Sequence, residues 1–194
     1  MITAEQIKSN TKKFLDTNSK YGIFTQELLD FLGEDFYTAP ASTSLDMYSC
    51  YPGGLLNHCF KAAKFAVKIN ELLPENMRTE TSSILKCVFL SQVGKTFMFK
   101  LNDNEWQRKT LGKMYEFTDS DVSMKAGERS VYYATKFGVT LTEEEFQSLL
   151  NSDKDSDDKM AKYRSSNLSN VVRMGFELSI IEEKNGQKRN WIVH

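Results

Sequence analysis

The chain has 194 residues, of which 40% are apolar and 26% charged, with a net charge of −1. That is enough chain for one domain with a real core, and the balance is ordinary for a globular protein. It argues against a dedicated basic nucleic-acid binder, a bilayer-spanning segment and, with three scattered cysteines and no Cys-x-x-Cys, a disulfide framework or cysteine zinc site.

In chain order, Ala4 to Leu15 predicts a short opening helix. Thr25 is placed to cap a second helix running to about Phe31, with Gly33 as its stop. Residues 34–52 read as irregular, with Pro40, serines, threonines and several aromatics. Gly53-Gly54 then opens a strong amphipathic helix. Leu55, Leu56, Cys59, Phe60, Ala63, Ala66, Val67 and Leu73 recur at helical spacing, Lys61, Lys64 and Lys68 take the other face, and Pro74 ends the run. Ile84, Leu85, Val88, Phe89 and Val93 predict a largely buried helix.

Farther on, Trp106 to Lys109 and Lys113 to Phe117 flank Leu111-Gly112 and predict a short β-hairpin. Ser123 to Phe137 returns to helix. Thr142 to Glu145 forms a capping-box pattern before the helix Phe146 to Leu150. A polar loop, residues 151–159, precedes an apolar helix from Leu168 to Ile181, and Trp191 to Val193 suggests a final strand. The expectation is a mainly α, single-domain helical bundle with a small β-hairpin. Residues 1–52 supply N-terminal helices and an irregular segment packing on the core, 53–182 the main helical domain, and 183–194 a tail or short strand.

Four segments, taken in order, resemble the HD-domain family, and more closely the small HD-type proteins of bacteriophages. They are Gly53-Gly54-Leu55-Leu56-Asn57-His58, Leu90-Ser91-Gln92-Val93-Gly94-Lys95, Ala126-Gly127-Glu128-Arg129-Ser130-Val131, and Leu141-Thr142-Glu143-Glu144-Glu145-Phe146 with Leu149-Leu150-Asn151-Ser152 after it. The helix from Leu168 to Ser179 would correspond to the last one of the family. The resemblance implies an HD-like bundle in which histidines and aspartates from different helices hold one or two metal ions for phosphate-ester hydrolysis.

The chain departs from that pattern at the ligands. Ser91 and Gln92 stand where the His-Asp pair is expected, Ala126 and Ser152 where further histidines are, and Phe176 at the last aspartate. Of two histidines, one is the terminal His194, so His58 is the sole internal histidine. Serine and glutamine are poor ligands for a catalytic divalent ion, and alanine and phenylalanine are none. The resemblance therefore implies a catalytically inactive, HD-like pseudoenzyme without metal or other cofactor.

The leading expectation is a protein-binding or structural module, a virion component or a regulatory adaptor. It would act in the cytoplasm (a host's, or in a virion, if phage-encoded) on another protein or on copies of itself, with no membrane role. Phe36, Tyr37, Tyr48, Tyr51 and Trp106 are the candidate partner-binding aromatics. The alternative is a non-hydrolysing nucleotide or phosphate-binding module using Lys95, Arg129 and His58. A third reading, a residual metal-dependent phosphohydrolase, would gather its metal with His58, Glu128 and Glu177.

Overall fold

A computed structural model describes residues 2–120, 122–152 and 165–191, with the backbone alone for 187–191. The described helices are α1 (Ala4–Tyr21), α2 (Gln26–Thr38), α3 (Gly54–Leu72), α4 (Thr81–Leu90), α5 (Glu105–Leu111), α6 (Ala126–Lys136), α7 (Glu143–Asn151) and α8 (Asn167–Trp191). Two strands, β1 (Phe99–Leu101) and β2 (Tyr115–Phe117), pair antiparallel on either side of α5. This is the mainly α bundle with a small β pair that the periodicities predict.

Local chemistry sets the helix ends. Thr25 accepts a hydrogen bond from the Leu28 amide and caps α2. Thr142 and Glu145 exchange side-chain-to-backbone bonds of 3.2 and 3.0 Å, completing the capping box at α7. Gly33, with φ 52° and ψ −147°, kinks α2 instead of stopping it, and the helix resumes to Thr38. That resumption turns Phe36 and Tyr37 into the core. Phe14 is the hub there, with ring centroids 5.0 Å from Phe24, 5.4 Å from Phe36, 6.1 Å from Tyr37 and 5.1 Å from Phe89. Phe36 and Tyr37 are thus buried packing residues, which corrects their assignment as partner-binding anchors.

Helix α3 packs along α8 more extensively than any other pair of elements. Gly175 permits it: a Cβ there would lie 2.7 Å from the Ala62 carbonyl oxygen and 2.8 Å from Ala66 Cβ. Two further expectations are corrected. Trp106 to Lys109 belong to α5, and the partner of β2 is Phe99–Leu101, because Asn104 caps a helical turn between the strands by accepting from the Gln107 amide. Helix α8 continues through Trp191, so 183–191 are helical and neither tail nor strand. Residues 192–194, and most of the polar loop after Ser152, lie outside the described residues. No described helix is long and apolar enough to cross a membrane.

Candidate functional site

His58 lies on the buried face of α3 with only 1% of its surface exposed. Its ring is packed between Tyr48, at a centroid distance of 4.5 Å, and Phe176 of α8, at 5.3 Å. Ser179 Oγ is 3.2 Å from His58 Nδ1 and also donates to the Phe176 carbonyl at 2.8 Å. A hydroxyl has one proton to give. That single hydroxyl bridges His58 Nδ1 and the Phe176 carbonyl. Burial first, then the charges of Lys95 and Lys61, holds the imidazole well below its ordinary pKa.

Lys95 follows α4 in a 3₁₀ turn, Val93–Lys95, and is itself buried. Its Nζ donates to Tyr48 Oη at 3.2 Å and stands 5.7 Å from the ring centroid. Tyr48, His58, Lys95 and Phe176 therefore form one cluster joining α3, α8 and that turn.

Ser91, Ser152 and Ala126, three of the other positions singled out in the sequence, are engaged in backbone contacts. Ser91 donates to the Val88 carbonyl at 3.0 Å. Ser130 of α6 accepts from the Gly94 amide at 2.8 Å and donates to the Ser91 carbonyl at 2.9 Å, stapling the turn to α6. A Cβ on Gly94 would stand 2.1 Å from the Ala126 carbonyl oxygen, so Ala126 meets the turn by its backbone. Gln92 is buried, and its Oε1 has no hydrogen-bond partner among the described residues. Ser152 turns back onto the Leu149 carbonyl of its own helix at 3.0 Å.

This donor set does not fit a catalytic divalent ion. Among the described residues no three His, Cys, Asp or Glu side chains converge on one point. Glu128 accepts from the Lys125 amide at 2.9 Å, and Glu177 pairs with Arg173 at 2.6 Å on the exposed face of α8. The grouping of His58 with Glu128 and Glu177 is thereby corrected: both carboxylates are engaged within their own helices. Arg129 is likewise directed to the segment before α6, with NH2 contacts of 3.5 Å to Ser120 Oγ and 3.4 Å to the Val122 carbonyl. The structure brings Lys95 and His58 together but shows no such contact for Arg129.

A neighbouring polar clamp escaped the sequence reading. Glu183 accepts from Ser49 N at 2.6 Å, Ser49 Oγ at 2.8 Å and Lys61 Nζ at 3.1 Å. It holds Ser49 in a left-handed conformation with φ 45°, a strained choice for a non-glycine residue. Tyr51 joins this network through Ser49 Oγ at 3.4 Å and Asn57 Nδ2 at 2.8 Å, so it too is structural. The available signal was spacing: Phe176, Ser179 and Glu183 fall on one face of a helix.

Exposed apolar side chains occur on several elements, among them Leu72 at the end of α3 and Met174, Leu178 and Ile181 on α8. The unit β1–α5–β2 presents Leu101 (55% exposed), Trp106 (62%), Leu111 (47%) and Phe117 (63%). Leu45 abuts Gly112 at the edge of this unit, 3.3 Å from where a Cβ would sit. Of the sequence-selected aromatics, Trp106 is the one that is mostly exposed. No protein-family profile, curated protein or solved structure matches this chain.

Proposed function

We propose that this chain is an HD-like pseudoenzyme, of the phage type, that works by binding another protein. The observation that carries the binding role is the set of large apolar side chains on β1–α5–β2. Four such residues on one small unit are a denser exposure than the single scattered apolar side chains ordinary on a surface. Tryptophan is among the residue types enriched at binding anchors, and Trp106 is mostly exposed. The packed centre around His58 supports the non-catalytic half of the reading. His58, the one internal histidine on which the resemblance rests, is packed by Tyr48, Phe176 and Ser179 and faces no second ligating side chain among the described residues.

The test is co-purification of the full chain from its native source, as wild type and as Trp106→Ser with Phe117→Ser. A protein recovered in stoichiometric amount with the wild type and lost from the double variant, at unchanged circular dichroism, is the expected result. A partner retained by the variant would place the interface elsewhere, and recovery of the chain alone would remove the reading.

A further inference from the structure

Residues 39–53 connect α2 to α3 and carry Tyr48 onto His58. Within this connection the stretch from Thr43 to Ser49 is held differently at its two ends. At the first, backbone meets backbone at the turn between α5 and β2. Leu45 N donates to the Gly112 carbonyl at 2.9 Å, and Tyr115 N to the Thr43 carbonyl at 3.0 Å. At the second, the bonds to other elements run through side chains. Glu183 of α8 accepts from Ser49 N at 2.6 Å and Ser49 Oγ at 2.8 Å, with Lys61 Nζ at 3.1 Å. Lys95 Nζ donates to Tyr48 Oη at 3.2 Å, and the Tyr48 ring lies on the imidazole. The remaining bonds there stay inside the connection. Ser42 Oγ donates to the Tyr48 carbonyl at 2.6 Å, and the Ser49 carbonyl accepts from Ala41 N at 3.1 Å and Tyr51 N at 3.0 Å.

Ser49 sits at the second end in an unfavourable conformation. It is the one non-glycine residue with positive φ among the described residues, at 45°. Left-handed backbone costs a residue with a Cβ roughly tenfold in population. One carboxylate, Glu183, holds Ser49 there by both its amide and its hydroxyl, so release of that carboxylate lets the backbone relax. The outer side of the stretch faces solvent: Met47 is 41% exposed, and Asp46 beside it is exposed.

We infer that residues 46–49 are a latched strap. It pivots on the backbone bonds at Thr43 and Leu45 and is closed by Glu183. In a minor open state it lifts Tyr48 from His58 and Lys95, and solvent reaches the imidazole while the helices stay folded. The strap works in this way whether or not a protein docks on β1–α5–β2.

The probe is diethyl pyrocarbonate, which modifies accessible neutral imidazole, with peptide mapping of the full chain to read His58 by itself. Its rate is measured at pH 7 across urea concentrations below the unfolding transition. A local opening exposes little surface, so the expected His58 rate is nearly independent of urea. Hydrogen exchange should show the Ser49 and Ala41 amides opening together, while those of Leu45 and Tyr115 stay protected. Glu183→Gln trades a charged acceptor for a neutral one and should speed modification of His58 about tenfold. Ser49→Gly and Ser49→Ala both lack the hydroxyl and differ in the cost of left-handed backbone. His58 should therefore react roughly tenfold faster in the alanine chain than in the glycine chain. No reaction below the unfolding transition, or a rate with the urea slope of the whole chain, overturns the inference. Exchange of the Leu45 and Tyr115 amides in step with Ser49 also overturns it, since no pivot would then exist. The wild-type series decides alone where a variant fails to fold.

Discussion

His58 carries the clearest single-residue consequences. Its neutral ring is packed between two aromatics, and Lys95 and Lys61 oppose a charge on it. Its folded pKa lies below its unfolded value, so between those two values the unfolded chain holds the extra proton. Stability is therefore retained above the unfolded value near 6.5, and is lost by up to about 1.4 kcal/mol per pH unit as pH falls below it. Denaturant unfolding of wild type and His58→Phe at pH 7 and pH 5 checks this. The variant should show the smaller change, and equal slopes would refute the assignment. The thiols make a second case. Burial pushes Cys59 and Cys87 each up to about 12. Both should react with a thiol reagent only on unfolding, and rapid native labelling of either would contradict their burial.

Individual elements meet at points of close backbone approach. Gly94 leaves no room for a methyl group between the 3₁₀ turn and α6, so Gly94→Ala should cost on the order of 3 kcal/mol in chemical denaturation. Ser130→Ala should cost about 1–3 kcal/mol, because it strands the buried Gly94 amide. A Ser130→Ala chain as stable as wild type would show that the staple is incidental. Glu183→Ala removes the acceptor that holds Ser49, and about 2 kcal/mol of destabilisation is expected. Most of these elements were legible in the sequence, because apolar spacing and caps such as Thr25 and Thr142 are local signals. The β1 partner was not: Phe99–Leu101 has no distinctive pattern, and its pairing with β2 spans a helix. Phe36 and Tyr37 misled for a related reason, since the kink at Gly33 resembles a stop until the chain beyond it has somewhere to pack. Ser179 and Glu183 act on partners more than 120 residues away, and their roles appear only when α8 lies against α3.

At the scale of the molecule, the chain separates a sealed polar centre from an exposed apolar unit. Tyr48, His58, Lys95, Phe176 and Ser179 knit α3, α8 and the 3₁₀ turn into one rigid region, while β1–α5–β2 projects Leu101, Trp106 and Phe117. That division makes binding, not turnover, the proposed work of the protein. It also separates the consequences of mutation. Trp106→Ser should leave stability nearly unchanged, within about 0.5 kcal/mol, since it removes exposed surface and no core contact. The most direct measurement of the central claim is calorimetric titration of the purified full chain with manganese and with nickel, paired with a phosphatase and phosphodiesterase screen in the same buffers. No stoichiometric ion that depends on His58, and no hydrolysis above the metal-only control, is the expected result. One ion bound per chain, lost together with a measurable hydrolytic activity in His58→Ala, would contradict it.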